Sequence, residues 1–223
     1  MNLFDYQDKE YKQFHQKIVP NIDSDTIIGI RCPVLKKLAK EVESKETFMD
    51  LLPHNYYEEN MIHAYILNSI NSYETCIQSL NQFLPYVDNW AVCDAIRPSI
   101  FSKHKEELLI EIKKWITSNH EYTIRFGIEM LMKFYLDESF DSNQHEMILN
   151  IQYDTYYVNM MKAWYFCEAL IKQWDSTIFV LENNLLDTFT HNKTIQKCID
   201  SCRIDTKNKA YLKTLRKKDK DVK

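Results

Sequence analysis

Four side chains in this sequence have the types and the placement to do chemistry together. The segment DNWAVCDAIRP (88–98) holds Trp90 and Asp94 four residues apart, so a helix there sets both on one face. The segment EYTIRFGIEMLMKFYL (121–136) carries Arg125 in its first turns. It is apolar almost all round, which implies burial. YYVNMMKAWYFCEALIKQW (156–174) is similarly apolar and carries Trp164. One carboxylate between two indoles, with an arginine nearby, suits a cationic transition state beside a phosphate. Breaking an N-glycosidic bond gives a deoxyribose oxocarbenium character. A fixed carboxylate stabilises that charge and can position water. Indole faces favour cations and pack on sugar C–H groups, and an arginine holds a neighbouring phosphate through paired hydrogen bonds. A purine alkylated at N3 or N7 is already cationic and leaves without a strong general acid. Nothing in this set requires a metal.

Each of the four also has a plainer reading. Trp90 and Trp164 could be ordinary core aromatics. Asp94 could pair with Arg97 three residues on, and Arg125 with Glu129 four residues on, contacts worth ~0.2–0.5 kcal/mol each. The other reactive residue types point nowhere specific. The six cysteines have no CxxC spacing, so they read as small core hydrophobes of a reducing compartment, with no metal site or cofactor expected. Cys198 and Cys202, four apart, read as packing. The seven histidines form no HExxH or paired spacing. His191, in THNK, reads as a helix start, structural or in contact with a backbone. Tyr156 and Tyr157, at the start of an inner helix, could touch nucleic acid.

The elements that must position these residues are helices. Two glycines in 223 residues exclude GxGxxG and Walker A loops, which need several close together. The same scarcity argues against an all-β fold and its many tight turns. Helical periodicity predicts helices near 4–18, 32–44, 55–70, 73–84, 88–100, 103–117, 121–136, 143–151, 155–173, 176–187, 191–203 and 206–218. Pro98 is expected to bend or end the helix that begins near Asn89. From residue 55 the helices pair, with first helices starting near 55, 88, 121, 155 and 191. That near-constant period predicts stacked helical hairpins, an all-α HEAT-like solenoid whose inner helices line a concave groove. No linker or low-complexity stretch is visible, so one domain over 1–223 is expected, with a basic C-terminal tail from about 214. No run approaches the ~18 apolar residues of a membrane span, and MNLFDYQDKEYK carries charges where a signal peptide is apolar; a cytoplasmic monomer is expected.

Charge is uneven. His191 to Lys223 holds 11 Lys and Arg against 4 Asp and Glu, within a chain of net charge −4. A polyanionic partner would explain the basic end; a solvated last helix with a frayed tail is the simpler account. Basic residues available for a patch include Arg97, Lys103, Lys105, Lys193, Lys197 and Arg203.

Together, GIRCPVLKKLAKEV (29–42), YVDNWAVCDAI (86–96), IRFGIEMLMKFYL (124–136), YYVNMMKAWYFCEALIK (156–172) and THNKTIQKCIDSCRI (190–204) resemble the AlkD-like DNA alkylation-repair family across nearly the whole chain. The resemblance implies a HEAT-like solenoid that binds duplex DNA in a basic concave groove. It implies a glycosylase that removes N3- and N7-alkylated purines without enclosing the base. Carried over by position, it makes Asp94 the catalytic carboxylate and sets Trp90 and Trp164 against the sugar at the lesion. Arg125 then meets the DNA backbone, with Arg97, Lys193 and Lys197 as further DNA-binding candidates. The family also includes members that bind DNA, some preferring branched forms, without base excision. A third reading for such a scaffold is a protein–protein interaction solenoid.

Overall fold

The computed structural model describes residues 2–218. Among the described residues every regular element is a helix, and no helix is long and apolar enough to cross a membrane. The chain divides into two compact units, one up to Lys105 and one from Glu106.

In the first unit a 3-10 turn at Leu3–Tyr6 precedes α1 (Lys9–Ile18), α2 (Cys32–Glu41), α3 (Lys45–Asp50), α4 (Tyr57–Leu67), α5 (Tyr73–Phe83) and α6 (Trp90–Ala95). The centre is α4, buried on most of its surface and packed against α2, α3, α5 and α6. It buries a charge as well: Glu58 has no exposed surface. Its carboxylate accepts from the backbone N–H groups of Ile28 (2.9 Å), Gly29 (2.7 Å) and Ile30 (3.2 Å). Gly29 makes this possible. Its φ is +96°, and a Cβ there would lie 2.6 Å from Lys12 Cβ and 2.8 Å from the Asp8 carbonyl oxygen.

The second unit is built on α7 (Lys105–Ile116), α8 (Glu121–Tyr135), α9 (Asn143–Leu149), α10 (Tyr156–Lys172), α11 (Trp174–Thr177), α12 (Phe179–Glu182), α13 (Thr188–Asp200) and α14 (Thr206–Thr214). α10 packs against both α8 and α13, and α14 packs on α13. Gly127 lets α8 meet α7 closely, since a Cβ there would stand 2.8 Å from Ile116 Cγ2 and 3.1 Å from Trp115 Cβ.

The helices follow the expected order with informative differences. The expected helix 4–18 breaks before Lys9, because Asp8 caps α1 through the Tyr11 N–H and pairs with Arg31 at 2.9 Å. α3 is additional, started by a Ser44 side-chain cap. The expected 88–100 shrinks to six residues, and 176–187 becomes two short turns followed by Asn184 at φ 56°. The expected 191–203 starts earlier, because Asp187 accepts from the Thr190 N–H at 2.9 Å. His191 therefore lies inside α13, fully buried, with Nε2 bonded to the Leu215 carbonyl at 2.8 Å. First helices start at Tyr57, Trp90, Glu121, Tyr156 and Thr188, spacings of 33, 31, 35 and 32. At the basic end the expected 206–218 stops at Thr214, and the Asn192 side chain bonds both backbone groups of Lys217 at 3.0 Å. The last part of the expected tail, 219–223, lies outside the described residues.

Two stability tests follow from this packing. Gly127→Ala forces overpacking at α7, and a loss of about 1–3 kcal/mol is expected by urea denaturation; unchanged stability would contradict the close approach. Five histidines, His15, His54, His63, His145 and His191, are pushed below their usual value by burial, His63 to about 3 and His145 to about 4. Several of the neutral rings are also hydrogen-bonded. His54 Nε2 meets His63 Nδ1 at 2.9 Å, and His145 bonds Tyr165 Oη and Thr177 Oγ1, each at 3.0 Å. The unfolded chain takes up these protons first, so this stability is complete above the ordinary histidine range near pH ~6.5 and falls as pH drops toward 4. Urea midpoints measured between pH 7 and 5 should fall with a slope of about two or more protons.

Candidate functional site

In the first unit the site residues ride on α6. Asn89, fully buried, caps its start by accepting from the Val92 N–H at 2.9 Å. Val92 and Cys93 are buried, which turns Trp90 and Asp94 to the half-buried side. Trp90 Nε1 donates to the Ile18 carbonyl at 2.9 Å, so its indole is oriented by the end of α1. Asn21 Nδ2 donates to the Asp88 carbonyl at 2.5 Å, tying the same loop to the approach of α6. Arg97 is exposed, and its Nε donates to the backbone carbonyl of Asp94 at 2.9 Å. The Asp94–Arg97 contact anticipated as an ion pair is thus made in part through the main chain. Lys103 is exposed at the end of a 3-10 turn, and Lys105 opens α7 half-buried.

In the second unit Arg125, on α8, is only 5% exposed. Its Nη1 donates to the Tyr157 carbonyl at 3.1 Å, which ties α8 to the first turn of α10. Glu129, the expected partner of Arg125, is ion-paired with Lys133 one turn further on. Trp164 is half-buried on α10, and Lys197 of α13 holds its ammonium 5.5 Å from the indole centroid. Lys193 sits one turn earlier, 5.7 Å over the Phe189 ring. The Lys197 ammonium titrates below the ordinary lysine range. Burial is the main cause, and Arg125 and Lys193 push the same way against Cys167 and Asp200. Arg125, Lys193 and Lys197 therefore form one cationic cluster beside Trp164. Arg203 is not free to join it, because its guanidinium takes both carboxylate oxygens of Glu168, one at 2.8 Å and one closer.

Aromatic rings extend the cluster. Tyr156 is 58% exposed and lies 5.1 Å from Tyr157 and 5.7 Å from Phe189. Phe189 is the residue that the sequence reading missed. Phe189, Lys193 and Lys197 recur every four residues, a one-face pattern that is readable once α13 starts at Thr188 rather than 191. Asn89 was also missed, since a lone asparagine carries no spacing signal.

Chemically, the first unit offers a carboxylate one turn from an oriented indole on a short, capped helix. The second offers three cations with aromatic faces, a combination suited to phosphates and stacked or sugar surfaces. A polyanion should bind the second unit in a salt-dependent way. Replacing Lys193 and Lys197 together by Ala should reduce the slope of log K against log salt on duplex DNA by about 2, read by fluorescence anisotropy. An unchanged slope would take the strand off this face.

No curated protein matches the chain. The family model described as DNA alkylation repair enzyme matches residues 3–166, well over half of the chain. The matched span contains Trp90, Asp94, Arg125 and Trp164, while Lys193 and Lys197 lie beyond it. The chain belongs to the family of DNA alkylation repair enzymes.

Proposed function

We propose that the protein is a DNA glycosylase that hydrolyses the N-glycosidic bond of N3- or N7-alkylated purines in duplex DNA. The observation that carries this reading is the Trp90–Asp94 pair on a capped helix, in a chain of the alkylation-repair family. The recurring helix starts, 31–35 residues apart, support a HEAT-like solenoid with the inner helices toward DNA. The whole chain is then one working body, a cytoplasmic monomer that needs neither metal nor cofactor.

In the reaction the C1′–N bond breaks and its electron pair neutralises the cationic purine, which leaves as the free base. The sugar becomes positively charged. The Asp94 carboxylate stabilises that charge and orients the water whose oxygen adds to C1′; the water's proton passes to the carboxylate or to solvent. Trp90 and Trp164 pack on the deoxyribose and favour its positive charge. Arg125 holds the neighbouring phosphate, and Arg97, Lys193 and Lys197 hold the strand. Because the lesion supplies its own charge, the base need not be enclosed in a pocket.

A second reading is a DNA binder without excision, branched DNA included, on the same scaffold. Base release from methylated duplex DNA decides between them. The native protein is expected to free 7-methylguanine or 3-methyladenine. Asp94→Asn should lose about 100-fold or more of that rate and keep its DNA affinity. No release by the native protein at a concentration where binding is measured would leave the binder.

A further inference from the structure

We propose that Asn68 is the positioning residue for Asp94. The proposal rests on the role given to Asp94 above. α6 has six residues, so many of its backbone groups lack an intrahelical partner. A helix that short does not hold itself. Its N-terminal end is met by Asn89, a cap that several small polar residues could supply. Its C-terminal end is met in a more specific way. Asn68, the residue that closes α4, uses both ends of its amide. Nδ2 donates to the Ala95 carbonyl at 2.8 Å, and Oδ1 accepts from the Arg97 backbone N–H at 2.5 Å. Arg97 in turn closes on the Asp94 carbonyl through Nε at 2.9 Å.

One side chain thus fixes the carbonyl next after Asp94. It also fixes the backbone of the residue whose guanidinium holds Asp94's own carbonyl. An aspartate would keep the acceptor for Arg97 and lose the donor for Ala95. An alanine would lose both. Asn68 sits at the end of the buried central helix, so it transmits the position of the unit's core to the carboxylate. Displacing a catalytic group by about 1 Å costs on the order of 100-fold in rate, so a small relaxation of α6 is enough to be seen.

The test uses the full chain and a duplex carrying a single 7-methylguanine. In single turnover at saturating protein, Asn68→Ala is expected to lower the excision rate about 10- to 100-fold. Its Kd for the same duplex should stay within about twofold, because no phosphate contact is removed. Asn68→Asp should fall between Asn68→Ala and the native rate, and it carries the test if the alanine variant does not fold. Native rates in both variants overturn the proposal. So does a parallel loss of rate and affinity, which marks Asn68 as general support for the fold. Asp94→Asn run alongside separates the two levels. Excision surviving there overturns the role of Asp94 itself, whatever the Asn68 variants do.

Discussion

A fully buried Glu58 carboxylate accepting three consecutive backbone N–H groups is the contact from which the first unit is built outward. Burying a charge is costly unless its hydrogen bonds are made in full, and here the donors come from a stretch that no helix could satisfy. Residues 27–30 run without regular structure, with Ile27, Ile28 and Ile30 buried on either side of Gly29. The carboxylate collects their N–H groups and locks that stretch to α4. The register of α4 then decides where its last residue stands. The residue that caps it, just after Leu67, is Asn68, which reaches α6. A chain of fixed contacts therefore runs from a buried charge to the half-buried Asp94 without passing through a flexible joint.

The second unit solves a different problem. It must hold several positive charges close together in a chain whose net charge is −4. Arg125 is held by a backbone carbonyl and Lys197 by an indole face. Neither of those two contacts is with a carboxylate. The result is a cluster in which Arg125 and Lys193 add to the burial that holds Lys197 below the ordinary lysine range. A polyanion relieves that repulsion on binding. Lysines and arginines paired with acids, such as Arg203 with Glu168 and Lys133 with Glu129, are already relieved and have less to gain.

Much of this was legible in the sequence, and the rest was hidden for physical reasons. Helix existence followed from apolar periodicity, and the pairing of Trp90 with Asp94 followed from a spacing of four. Helix ends did not, because side-chain caps set them. Asp187 starts α13 three residues before its apolar pattern becomes plain, and that shift removed Phe189 from view. Asp8 breaks the first helix through a partner, Arg31, twenty-three residues away. α6 ends just before Pro98, as that proline suggested, and Asn68, twenty-seven residues upstream of Ala95, holds that end. Long-range partners of this kind leave no local signal. The partner of Arg203 was hidden for the same reason, since Glu168 lies thirty-five residues away.

Net charge is a poor guide to what such a chain binds. At physiological salt a charge is felt over about 8 Å, so a phosphate responds to the groups beside it and not to the total. The acidic residues that make this chain negative are spread along its length, and several are already committed. Glu58 is buried against backbone, Glu168 and Glu129 are in ion pairs, and Asp187 and Asp205 cap helices. The cations of α8 and α13 are concentrated near Trp164, with Lys197 over its indole and Arg125 on the Tyr157 carbonyl. Local arrangement thus separates a cationic face from an acidic background. The same rule governs the carboxylate side, where one acid on a capped helix counts for more than the many acids around it.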